Sequence, residues 1–177
     1  MAHFAERGYK ATTIRGVARD AGVSPSSVQH HFSNKDGLRE ACDTYVANQL
    51  RRGVAEKVTR ESTGDTEAAA SLDEAPPILR YLARALTEDS PTAATLFDEI
   101  VELTEAHLSN LEDAESYSWR APMSDQAAVY TAMKLGVIVL HSHLSRNLDV
   151  DTLTPEGIAR VQPAMLDIVA PHLRSNA

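Results

Sequence analysis

The stretch TTIRGVARDAGVSPSSVQHHFSNKDGL, residues 12–38, decides how the rest of the chain reads, because three helix starts and one sharp turn are packed into it. Thr12 or Thr13 can N-cap a helix whose apolar positions Ile14, Val17, Ala18 and Ala21 recur at i, i+3, i+4 and i+7. Gly22 supplies the left-handed conformation that ends this helix, and Val23 is placed to plug the angle that follows. Ser24-Pro25 restarts a helix, Ser as cap and Pro pre-set for the first helical position. Helix, glycine turn, helix is the helix-turn-helix arrangement.

Val28 and Phe32, four apart, give the second helix one buried face. Its remaining positions, Ser26, Ser27, Gln29, His30 and His31, carry small or hydrogen-bonding side chains and no acid, which suits entry into a major groove. Asn34 can cap a third helix opening on Lys35 and Asp36, so a cation and free backbone N–H groups meet where a phosphate would sit. Candidate base contacts are therefore Ser26, Ser27, Gln29 and His30, and candidate phosphate contacts are Thr13, His31 and Lys35.

Phe4, Gly8-Tyr9, Thr13, Val17-Ala18, Ala21-Gly22-Val23-Ser24, Val28, His31-Phe32, Lys35 and Leu38 together resemble the N-terminal pattern of the TetR family of bacterial transcriptional regulators. The likeness covers about the first quarter of the chain. Two departures stand out: Gln29 occupies the place of a common Tyr, and only three residues precede Phe4, so the first helix reads as truncated. The resemblance implies a dimeric repressor on double-stranded DNA, released by a small-molecule effector bound in a helical C-terminal domain.

Outward from this segment, 43% hydrophobic residues with only 5% aromatics, without the alternation of strands, indicate an all-α globular chain. The net charge of -8 is unevenly divided: residues 1–60 hold ten Lys or Arg against six Asp or Glu, a net +4, which leaves -12 for the rest. A basic head on an acidic body fits a nucleic-acid reader that avoids indiscriminate binding. The lone Cys42 excludes an internal disulfide, and no signal segment opens the chain, so a cytoplasmic location is expected. The longest apolar run, Leu135 to Leu140, is far short of the roughly 20 residues a bilayer crossing needs, and no membrane partner is expected.

The expected division is a helix-turn-helix domain over 1–45 and a ligand-binding and dimerisation domain over 46–177. Residues 36–60 read as one connecting helix with Leu38, Ala41, Cys42, Tyr45, Val46, Gln49, Leu50, Val54 and Val58 inward, and 61–75 as a loop that can hold local helix. Helices are expected from Pro76, from Ser90-Pro91, unbroken from Ser124 to Leu144, and from Thr154-Pro155 with a kink at Pro163. Residues 113–125 read as a loop. Leu79, Leu82, Leu86, Phe97, Val101, Trp119, Tyr130 and Met133 are candidates for an apolar effector pocket, each more readily read singly as ordinary core. Val137, Leu140, Leu144, Ile158, Val161, Met165 and Val169 form the expected face toward a second copy in a two-fold dimer, with Gly136 allowing close backbone approach.

A DNA-binding regulator is the leading reading, and a helical dimeric module that binds a ligand or protein but has lost DNA binding is the alternative. An enzyme is disfavoured, since no phosphate loop, metal-ligand spacing or activated nucleophile is present. Asp98, Glu102 and Glu105 read as a solvated helix face. His141 and His143, two apart, point to opposite sides of a helix and cannot share a metal, so neither a metal site nor a cofactor is expected.

Overall fold

The computed structural model of the chain describes residues 1–63, 75–88, 90–115 and 121–169. Among these, all regular structure is helical: α1 (Ala2–Ala11), α2 (Ile14–Asp20), α3 (Pro25–Phe32), α4 (Lys35–Thr63), α5 (Ala75–Thr87), α6 (Pro91–Glu115), α7 (Met123–Val139), α8 (His141–Leu148) and α9 (Pro155–Val169). α2 and α3 pack on each other, α3 leads into α4, and α1 lies along α5; α5, α6 and α7 form the C-terminal bundle.

Ala2 and His3, ahead of Phe4, are helical, and Phe4 itself is buried. One apolar cluster joins Phe4, Ala18, Val28 and Leu38 of the N-terminal head to Val46 of α4 and to Ile78, Tyr81 and Ala85 of α5. A second cluster, Leu82, Leu96 and Leu135, fills the bundle. The head thus shares its core with α5, and α4 runs unbroken across residue 45.

Several expectations need correction. Among the described side chains of α4, Leu38, Val46 and Ala47 are buried and Cys42, Gln49 and Leu50 half-buried, whereas Ala41 and Tyr45 are exposed and Asp43 faces α5 through Tyr81; the side chains of Val54 and Val58 lie outside the described residues. Val23 is 47% exposed, so the angle between α2 and α3 is closed by Ala18 and Val28 instead. The expected single helix from Ser124 to Leu144 breaks at Leu140, where α7 and α8 meet at 66°. Here the Leu140 N–H closes the α7 ladder on the Gly136 carbonyl, and the His143 and Leu144 N–H groups donate to the Leu140 carbonyl, so a new helix starts at Leu140. The segment 61–75, expected as a loop with local helix, is helix up to Thr63 and again from Ala75, as that expectation allows; residues 64–74 lie outside the described residues. The segment expected as a loop over 113–125 is helix at both ends, to Glu115 and from Met123, with 116–120 outside the described residues.

The start signals perform as their chemistry requires. Ser24 Oγ accepts from Ser27 N–H at 3.0 Å, and Thr13 Oγ1 accepts from Gly16 N–H at 3.1 Å. Asn34 Oδ1 accepts from Gly37 N–H at 2.9 Å, and Thr154 Oγ1 from Gly157 N–H at 3.2 Å. Gly22 ends α2 at φ 69°.

Candidate nucleic-acid interface

α3 is held at both ends and along one side, which leaves its other side open. Ser24 caps its start, Val28 is buried beneath it, and Phe32 packs half-buried against the same core. Ser26, Ser27, Gln29, His30 and His31 are all exposed. Ser24 Oγ also lies 2.8 Å from the hydroxyls of both Ser26 and Ser27, so these three form one polar knot at the N-terminus of the helix. The His30 and His31 rings meet edge-on, 5.7 Å between centroids.

The exit from α3 is a strained turn. Ser33 adopts φ 63° and ψ -57°, and Asn34 N–H donates across it to Phe32 O at 2.7 Å. These are the features of a γ-turn of the rare positive-φ kind. Phe32 O also lies so near Gly37 that a Cβ there would stand 2.2 Å from it. The turn therefore fixes where α3 ends relative to α4.

Lys35 is placed differently from the outward cation that its position suggests. Its ammonium donates to the carbonyl oxygens of Tyr9 at 3.0 Å and Thr12 at 3.2 Å, and it lies 4.2 Å from the centroid of the Tyr9 ring. It thereby satisfies the carbonyl end of α1. An ammonium carries three donors, so these two bonds leave one N–H. Thr13 is exposed even though its hydroxyl oxygen caps α2. Arg15 on α2 and Lys10 at the end of α1 are exposed on the same head, while Arg19 is paired with Asp20 at 2.8 Å. That pair lowers the Asp20 carboxyl below its ordinary range, chiefly through the hydrogen bond from Arg19.

Bracing residues that sequence reading did not single out lie behind this surface. His3 Nε2 of α1 meets Asp20 Oδ2 of α2 at 2.7 Å. Buried Asp43 of α4 accepts from the Tyr81 hydroxyl at 2.6 Å and from Ser90 Oγ at 3.1 Å, and Arg39 stands 3.8 Å from it. Ser90, expected as a helix-start signal, lends its hydroxyl to this network.

Of the expected pocket residues, Leu82, Leu86 and Phe97 come together in the second apolar cluster. Leu79, Val101 and Tyr130 are half-buried, Met133 is 46% exposed, and Trp119 lies outside the described residues. Among the expected dimer-face residues Leu140 is 54% exposed, Val137, Leu144, Ile158, Val161 and Met165 are half-buried, and the Val169 side chain lies outside the described residues. Among the described residues no group of three or more His, Cys, Asp or Glu is arranged to hold a metal ion, and no single helix is long and apolar enough to cross a membrane.

Comparison with known proteins matches both parts. Residues 1–42 match the family model for bacterial regulatory proteins of the tetR family. Residues 73–173 match that of the tetracyclin repressor-like C-terminal domain. RaaS of Mycobacterium tuberculosis, an HTH-type transcriptional regulatory protein, is 32% identical over 96 residues, 54% of this chain and 45% of RaaS. The HTH-type transcriptional regulator BetI of Cronobacter sakazakii is 39% identical over 61 residues, 34% of this chain and 30% of BetI. The HTH-type transcriptional repressor KstR2 of Mycolicibacterium smegmatis is 49% identical over 37 residues, 21% of this chain and 18% of KstR2. The matches span less than half the length of each of these relatives. A crystal structure from Rhodococcus sp., described as a TetR-family transcriptional regulator, superposes with a TM-score of 0.53 at 19% identity over 85% of this chain and 92% of that one, a likeness of fold.

Proposed function

Since the chain belongs to the TetR family of bacterial regulatory proteins, we propose that it is a homodimeric, ligand-released repressor that reads a near-palindromic operator. The observation that carries this reading is the open side of α3, where five exposed side chains without an acid stand on a helix fixed at both ends. Seated in a major groove, Ser26, Ser27, Gln29 and His30 meet base edges. Thr13, His31 and the third donor of Lys35 meet phosphates, with the N-terminus of α4 beside them. Gln29 offers both a donor and an acceptor, the pairing that an adenine edge accepts.

The head at residues 1–45, with six Lys or Arg against five Asp or Glu, is assigned to DNA, and the acidic remainder, 46–177, to the effector and the second copy. The pocket is assigned to the apolar interior around Leu82, Leu86 and Phe97. The dimer face is assigned to the exposed and half-buried apolar residues of α7, α8 and α9, among them Leu140, Leu144, Ile158 and Val161.

Selection of duplexes from random DNA by the full chain tests the reading. The expected product is a pair of inverted half-sites separated by about one helical turn, roughly 10 base pairs. Affinity is expected to fall steeply with salt, and Gln29→Ala to relax the choice of base at one position of each half-site while leaving the salt slope unchanged. A chain that enriches no duplex, or binds all duplexes alike, is not an operator reader.

A further inference from the structure

Where α5 ends and α6 begins, one carboxylate reaches across to the reading head. α1 is broken at Gly8, with φ 73° and ψ 174°, and the break presents the Tyr9 N–H to Glu88, whose two carboxylate oxygens accept it at 3.2 and 3.1 Å. A Cβ at residue 8 would stand 2.3 Å from Glu88 Oε1, so the absence of a side chain at Gly8 gives the carboxylate its approach. Arg39 Nη1 lies 4.0 Å from the same carboxylate, and Arg84 Nη2 donates to Glu6 O at 3.4 Å beside it.

We propose that Glu88 is a positioning residue that fixes the angle of the reading head on the C-terminal bundle, a role that rests on the operator-reading function above. Glu88 follows the C-terminus of α5, where the helix dipole disfavours a negative charge, so this carboxylate serves the contact across to α1 and not the helix it follows. Two residues on, Ser90 anchors the same corner to Asp43 of α4. The bonded Tyr9 carries the connection forward. Its ring lies under Lys35 and 5.0 Å from the Arg39 guanidinium, its carbonyl takes Lys35 Nζ, and its hydroxyl bonds to Asp36. Lys35 and Asp36 form the first turn of α4, immediately after the turn that ends α3. A shift of the α5–α6 corner is thus passed through Glu88 and Tyr9 to the place that sets the direction of α3.

Amide hydrogen exchange on the full chain separates this role from general stabilisation. In Glu88→Ala the Tyr9 N–H is expected to exchange about tenfold faster, the scale on which a charge-assisted hydrogen bond acts, while the amides of α5 and α7 keep their protection. Glu88→Gln retains an acceptor oxygen and is expected to keep Tyr9 close to the wild-type rate. Against a duplex that the wild-type chain has itself selected, Glu88→Ala is expected to bind about tenfold more weakly, with Glu88→Gln recovering most of the loss. Unchanged Tyr9 exchange in Glu88→Ala, a loss of protection spread through α5 and α7, or a Gln variant as impaired as the Ala variant each overturns the assignment. If the wild-type chain selects no duplex, the operator reading fails, and the exchange measurement still decides whether Glu88 holds the head.

Discussion

The Tyr81 hydroxyl donates to the buried carboxylate of Asp43 at 2.6 Å, tying α5 to α4 across 38 residues of sequence. Tyr81 is 3% exposed and Asp43 7%, so neither group has water as a substitute partner. Tyr81→Phe removes a donor to a charged acceptor and is expected to cost about 2 kcal/mol near neutral pH. Burial first, and then the hydrogen bond to Asp43, raise the pKa of Tyr81 above its ordinary 10.0. A group whose folded pKa is raised adds stability that is complete below its unfolded pKa and is lost as pH climbs beyond it. Wild-type stability is therefore expected to fall above about pH 10 with a steeper slope than that of Tyr81→Phe, and the gap between them to narrow there. Urea unfolding of both chains at pH 7 to 11 measures this; parallel slopes would show that Tyr81 is not the group responsible.

The γ-turn after α3 makes two predictions of opposite sign. Ser33 sits at φ 63°, and Ser33→Gly is expected to relieve the strain, raising stability by about 1 kcal/mol. Gly37→Ala would place a Cβ 2.2 Å from the Phe32 carbonyl oxygen, a backbone atom that cannot rotate aside. It is expected to cost about 3 kcal/mol, within the range of severe steric changes, and to displace the end of α3. Thermal unfolding gives both signs. Two-dimensional NMR shifts of the α3 amides should move for Gly37→Ala and stay in place for Ser33→Gly at positions before Gln29.

The two caps of the motif separate folding from recognition. Ser24→Ala and Thr13→Ala each remove an acceptor for one N–H, Ser27 and Gly16 respectively, and each is expected to cost about 1 kcal/mol. Thr13 is also proposed to touch phosphate, so Thr13→Ala should weaken binding to a selected duplex beyond its stability cost, with the salt slope unchanged because the hydroxyl carries no charge. Ser24→Asn, which restores a cap, should recover stability. Equal DNA binding by wild type and Thr13→Ala, measured well below the melting temperature of both, would remove Thr13 from the interface.

The helix-turn-helix was legible because its signals are local. Thr13, Gly22, Ser24-Pro25 and Asn34 act on backbone groups within three or four residues, so residue type and spacing suffice. The bracing of that motif was not legible for the same reason. Asp43 meets partners 38 and 47 residues away, and Glu88 meets Tyr9 across 79. Lys35 looked like an outward cation because its spacing gives no hint that the end of α1 returns to it. The break at Leu140 carries neither Gly nor Pro, the residues by which a turn is usually read. On an almost wholly apolar helix such as α7 no buried face is readable from residue type, and Met133, expected at the pocket, is 46% exposed.

That exposed face bears on the second copy. Val129, Met133, Gly136 and Leu140 recur at intervals of four, three and four along α7 and its end, and so share one side. Val129 is 60% exposed and Leu140 54%, and a Cβ added at Gly136 would meet nothing within 4 Å. In the isolated chain Gly136→Ala is therefore free of clash, and the helix propensity of Ala over Gly should raise stability by about 1 kcal/mol. In a dimer that brings the backbone of a second copy against Gly136, the same methyl meets that backbone. The expected pattern is a higher unfolding midpoint at high dilution together with a weaker association, the dimer dissociation constant rising by about tenfold, or 1.4 kcal/mol. Sedimentation across a concentration series, set beside unfolding at the lowest concentration, reads both effects on one variant. An association constant that does not change, with stability raised, would move the dimer contact off this face of α7 and onto α8 and α9 alone.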